Sequence, residues 1–280
     1  WTYLRSHGQI LGNRDKGSRM EVANRAHLSY PGFAETLCGF PVPGLEGNQS
    51  IWNPVASILE RIEPTPGFRG RVAAFATWRH FPWILRKSAC GFPVISGDDP
   101  VPEQGMPAEV VELNRRKRVE KRRFPTGPAD ELTVEGAVAY LAAAKPRLLL
   151  VVLDEPDEWA HEGCYVGYLR AIQATDTALR RLWETAGTIP EFRGRTTLIV
   201  TTDHGRGASP ADWRNHGGIR EAEETWLMAL GPDTPNRGEV EAGECVSNAQ
   251  VASTVSEICG VPYLRLEPRA ARPIKGLLAP

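Results

Sequence analysis

Four short apolar runs set the constraint on this chain. RVAAFATW (71–78), RLLLVVL (147–153), TTLIVTT (196–202) and ETWLMALG (224–231) are bounded by polar or turn residues and are continuously apolar rather than alternating. Runs of this length are strands, and their continuity predicts cover on both faces. Helical patterns lie between them. In NPVASILERI (53–62), Val55, Ile58, Leu59 and Ile62 share one face behind Asn53 and Pro54, a cap and first-turn pair. LTVEGAVAYLAAAK (132–145) is stopped by Pro146, GYLRAIQATDTALRRLWETAG (167–187) carries apolar residues near helical spacing, and a last helix is expected over 248–259. Strands alternating with helices predict an α/β fold with a doubly wound, mostly parallel central sheet flanked by helices.

With 280 residues, 41% of them hydrophobic, the chain can bury a large core and reads as a single catalytic domain over 1–280. A turn-rich and highly charged excursion interrupts the pattern at about 96–130, where NRRKRVEKRR reads as a solvated face. Lys+Arg at 33 against Asp+Glu at 34 gives a net charge of -1, which excludes a chain built to hold nucleic-acid polymers or an anionic membrane. The longest apolar run, Leu148 to Leu153, is far short of the roughly 20 residues that span a bilayer. Five cysteines without a CxxC pair exclude a zinc ribbon and a dense disulfide scaffold and leave one bridge or none. The start at Trp1 predicts that an upstream segment has been removed.

Two of the strands end in polar clusters, where open α/β sheets place ligands. After LLLVVL, Asp157 and His161 are four residues apart, which on a helix puts a carboxylate and an imidazole on one side. After TTLIVTT, Asp203 and His204 are adjacent, and His216 follows in WRNHGG, close enough to swing back over the same edge. Each cluster alone reads as a cap or a hydrogen-bonded loop. Together the two carboxylates and three imidazoles are ligands suited to zinc. Ser29, in HLSYPGFAETL, reads by itself as a helix cap. Beside zinc, a serine hydroxyl is deprotonated near neutral pH and becomes a nucleophile, and that reading is preferred here. His80, among aromatics in TWRHFPW, reads as a packing residue, and Arg206 and Arg214 as loop arginines. Trp159 either stacks on a substrate base or fills the space beside the metal loop.

The set SYPGFAETLCG (29–39), EPDEWAHEG (155–163), TTDHG (201–205) and NHGG (215–218) resembles the alkaline phosphatase superfamily, in particular its nucleotide pyrophosphatase/phosphodiesterase branch. The resemblance implies hydrolysis of a small-molecule phosphate ester at two divalent metal ions, zinc first. It implies Asp157, His161 and His216 as ligands of one metal, Asp203 and His204 as ligands of the other, and Ser29 as the nucleophile that forms a phosphoserine. Asn48, in GLEGNQS, matches an asparagine that bonds a phosphoryl oxygen. Members of the family are often exported, which sets export as the expectation. They also begin with a strand ending in Asp-Gly, whose aspartate completes the second metal site. No such strand is expected here before Ser29, and Asp15 lies in a turn-like context. The alternatives are a sulfatase-like hydrolase of the same fold, opposed by Phe33 where that motif needs arginine, and a metal-binding chain made inactive by the absent aspartate.

Overall fold

All four apolar runs are strands in the computed structural model, which describes residues 2–279. The chain forms two units, one from the segments up to Ile62 and from Gly194 onward, the other from Glu63–Arg193. In the first, α1 (Thr2–His7) leads into β1 (Gly8–Leu11), a 3-10 turn (Arg14–Lys16), β2 (Met20–Glu21), α2 (Ser29–Cys38) and α3 (Ile58–Ile62). The second carries β3 (Val72–Ala76), α4 (Phe81–Ile84), β4 (Val94–Ser96), α5 (Glu109–Val119), α6 (Asp130–Ala144), β5 (Leu148–Val152), α7 (Glu155–His161) and α8 (Tyr165–Thr188). The chain then re-enters the first with β6 (Leu198–Thr201), β7 (Glu224–Thr225), β8 (Leu227–Leu230), β9 (Gly238–Glu239), β10 (Val246–Ser247), α9 (Gln250–Ile258) and α10 (Tyr263–Leu266).

The sheet of the second unit, β4-β3-β5, is parallel throughout, with Ala74 opposite both Val94 and Leu150. Helices occupy both crossovers, as parallel neighbours require. Its central strand, β3, is buried at every residue, whereas β5, at the sheet's edge, is half-buried from Leu148 to Val151. Phe75, Ile95, Leu113, Leu132 and Ala137 form the core between sheet and helices, each large side chain contributing about 1.5–3 kcal/mol by burial. The excursion at 96–130 contains α5, where Arg116 pairs with Glu120 and Glu135 and Arg115 with Glu112.

The first unit's larger sheet runs β6-β8-β1-β9. The expectation of a mostly parallel sheet holds for β1 and β9, but β8 is antiparallel to both neighbours, with Ala229 opposite Gln9 and Ile199. The reason is local: no α-helix lies between β6 and β8 to carry the chain back. A strand does precede Ser29, but β1 is followed by Gly12-Asn13 rather than Asp-Gly, and Asp15 beyond it is exposed in the 3-10 turn. The helix expected over 53–62 starts only at Ile58. Ser57 and Glu60 form a reciprocal capping box, the Ser57 amide donating to Glu60 Oε2 at 2.7 Å and the Glu60 amide to Ser57 Oγ at 3.4 Å.

A second sheet, β10-β2-β7, is joined to α2 and β6 through Asn248. This residue is 0% exposed. Its Nδ2 donates to the Thr202 carbonyl at 2.6 Å and to Thr36 Oγ1 at 3.3 Å, while Oδ1 accepts from Thr225 Oγ1 at 2.7 Å. Replacing Asn248 with leucine leaves the Thr202 carbonyl and two threonine hydroxyls without these partners. Asn248→Leu is expected to lower the unfolding free energy by about 3 kcal/mol, measured by urea denaturation. A change below about 0.5 kcal/mol would show that the amide is not the joint described here.

Candidate active site

In the first unit, α2 begins at Ser29, and its first turn lies against the end of β6. Gly32 makes that approach: a Cβ there would stand 2.2 Å from the Asp203 carbonyl oxygen. The contact brings Ser29 Oγ to 3.3 Å from His204 Nε2. The next amide along the helix, that of Tyr30, donates to Asn48 Oδ1 at 2.8 Å. Asn48 is thereby fixed beside the serine by its acceptor, leaving its NH2 group to donate.

His204 and His216 are both oriented by carbonyl oxygens. His204 Nδ1 is 2.9 Å from the Gly205 carbonyl and His216 Nδ1 is 2.6 Å from the His27 carbonyl. A carbonyl only accepts, so each Nδ1 carries the proton, and in the neutral ring each Nε2 is the basic atom. Backbone carbonyls commonly hold metal-ligating histidines in this way. The two rings stack with centroids 3.8 Å apart and planes at 13°. His204 Nε2 faces Asp203 Oδ2 at 3.3 Å. A basic nitrogen and a carboxylate oxygen at that distance are stabilised by a cation they share, so the donor set fits a divalent metal.

In the second unit, Asp157 and His161 lie one turn apart on α7, with His161 Nε2 3.1 Å from Asp157 Oδ2. The start of α7 is held by Asp130, whose carboxylate accepts the amides of Asp154 and Glu155 at 2.9 Å each and the Thr77 hydroxyl at 2.6 Å. Glu155 reciprocates, its Oε1 accepting the Asp130 amide at 3.0 Å. Burial pushes the Asp130 carboxyl up to about 6 despite these bonds, and burial also raises Asp154 well above the usual carboxylate range. Trp159 fills space rather than offering a free face. It packs where Gly167 of α8 has no side chain, a Cβ there falling 2.3 Å from the ring, and the Arg123 guanidinium lies 3.8 Å above it.

The structure thus brings Ser29, Asn48, Asp203, His204 and His216 together in one unit and Asp157 with His161 in the other. His80 stacks on Trp78 with centroids 4.5 Å apart, as a packing residue should. Arg206 donates to the Trp213 carbonyl at 3.4 Å. Sequence reasoning missed Asp130, His27 and Arg123. Only Arg123 carried a signal, as part of the charge run, and nothing there marked it as stacked on α7.

A model of the type I phosphodiesterase/nucleotide pyrophosphatase family matches residues 22–230. The chain belongs to this family. No curated protein matches the sequence. Among solved structures, the alkaline phosphatase PafA, as a variant with four substitutions, is similar at TM-score 0.68 and 10% identity, over 99% of this chain and 93% of that one. Murine ectonucleotide pyrophosphatase/phosphodiesterase 5, an inactive variant in complex with AMP, gives 0.63 and 11%, with the same coverage. A putative sulfatase from Bacteroides thetaiotaomicron VPI-5482 gives 0.62 and 12%, over 98% of this chain. The chain spans 66% of that sulfatase's length. These likenesses show an alkaline phosphatase-like fold.

Burial of Asp130 makes the folding stability depend on pH. In the unfolded chain the group titrates near 3.8, so the folded chain binds its proton more tightly. The contribution to stability is full below about 4 and is lost as pH rises through about 6. A carbon-13 carboxyl titration is expected to show the Asp130 midpoint near 6. A midpoint below 4 would mean that the hydrogen bonds outweigh burial.

Proposed function

We propose that this member of the family hydrolyses small-molecule phosphate esters through Ser29 and two divalent metal ions, zinc first, with both units contributing to one catalytic domain. The observation that carries the reading is Ser29 Oγ at 3.3 Å from His204 Nε2, with Asp203 Oδ2 at 3.3 Å from the same nitrogen. Asp203 and His204 are proposed to hold the metal next to Ser29. Asp157, His161 and His216 are assigned to the other by the family motifs. Zinc at these donors supplies a Lewis acid that lowers the pKa of the serine hydroxyl and neutralises phosphoryl charge.

Ser29 Oγ attacks phosphorus as the bond to the leaving ester oxygen breaks, forming a phosphoserine. Water then attacks that phosphorus, releasing the phosphate product and restoring the hydroxyl. The Asn48 NH2 donates to a phosphoryl oxygen, its carbonyl end anchored on the Tyr30 amide. Export, frequent in the family, is part of the same reading.

Ser29→Ala is expected to lower kcat/KM for 4-nitrophenyl phosphate and its diester on the order of 10³-fold or more, while zinc binding persists. Wild-type turnover in this variant would overturn the nucleophile.

A further inference from the structure

His27 lies two residues before the proposed nucleophile and belongs to none of the motifs. Its backbone is in the left-handed region, at φ 49°, a conformation that costs an L-residue on the order of 1 kcal/mol and persists where surrounding structure enforces it. What enforces it here is a set of bonds joining two loops of the first unit. The His27 amide donates to Asn24 Oδ1 at 3.0 Å. The His27 ring donates from Nδ1 to the Ile219 carbonyl at 2.7 Å, and the Gly218 amide donates to the Ala26 carbonyl at 3.2 Å. Asn24 is itself held by Glu35, a carboxylate 0% exposed, which accepts the Asn24 Nδ2 at 2.9 Å and the Asn24 amide at 2.8 Å. The consequence falls on His216. Its Nδ1 donates to the carbonyl that this twisted backbone turns toward it, at 2.6 Å.

We propose that His27 is a positioning residue that fixes the tautomer and ring orientation of His216 for a metal ion, by clamping the 24–29 loop to the 216–219 loop. It rests on the reading of His216 as a ligand given above. Two jobs fall on one residue. The backbone aims a carbonyl at His216 Nδ1, and the ring ties down the segment that follows His216. Glycine does the first without strain but not the second. Alanine does neither easily. Asparagine tolerates the left-handed backbone and carries an amide NH2 that can donate to the Ile219 carbonyl.

The test uses the full chain and two readouts. The first is the His216 tautomer in the metal-free protein, read from long-range proton–nitrogen correlations. The second is zinc affinity, read by competition with a chromophoric chelator. In the wild type, His216 is expected as the Nδ1–H tautomer. In His27→Gly, which folds without the backbone cost, and in His27→Ala, zinc affinity should fall roughly 10- to 100-fold, with mixed tautomers at His216. His27→Asn should recover most of the loss. A single Nδ1–H tautomer and wild-type zinc affinity in His27→Gly would overturn the clamp. His216→Ala separates the two ideas. If removing His216 leaves zinc affinity unchanged, the ligand reading fails and the clamp's purpose fails with it. If His216→Ala weakens zinc while His27→Gly does not, the ligand reading stands and the clamp is wrong.

Discussion

Asn248 is the joint on which the first unit's site depends. An amide sealed from water has a donor end and an acceptor end that are not interchangeable, and its partners here use both. The Thr225 hydroxyl donates to its oxygen, and the Thr202 carbonyl takes its hydrogen. Rotating the amide would set its oxygen against the Thr202 carbonyl, two acceptors face to face, so the side chain has one acceptable orientation. That orientation fixes the end of β6 relative to β7 and, through Thr36, to α2. Asp203 and His204 follow Thr202 directly, so both inherit their placement from Asn248, 45 and 44 positions further along the chain.

The strands and the longer helices were legible because burial leaves a periodic signature in the residues themselves. The polar clusters at the ends of β5 and β6 were legible for the same reason: a carboxylate and an imidazole directly after an apolar run have no packing purpose. β1, β2, β9 and β10 were not, because they lack a continuous apolar run like those around β6 and β8 and exist only through their partners. The antiparallel return of β8 was hidden in the same way, since a strand's direction is a property of the connection before it. Asn53 looked like a cap by residue type, yet Ser57 took that role because Glu60 sits three residues beyond it. Of the site, the side chains were readable and the carbonyls that orient them were not. Every residue has a carbonyl, so no sequence distinguishes the one at His27 or Gly205 that faces a histidine.

The two units solve one electrostatic problem by different means. In the first, each imidazole has its Nδ1 satisfied by backbone, which leaves the basic nitrogen defined without further charge. In the second, the carboxylates crowd the start of α7, and burial lifts Asp130 and Asp154 toward neutrality. A helix start favours negative charge through its exposed amides, and Asp130 consumes two of those amides from outside the helix. Asp157 therefore stands on a helix whose entrance is already occupied by one acid group, and a cation near it relieves rather than adds to the local imbalance.

Gly32 has a consequence of a different kind. Because α2 touches the Asp203 carbonyl with no side chain between them, the serine and the β6 end share a single reference surface, as two parts machined on the same face do. A displacement of the helix along that surface passes directly into the gap between Ser29 and His204. The precision of that gap is therefore set by the backbone contact and by the two side chains that close it, of which the His204 ring is pinned by the Gly205 carbonyl.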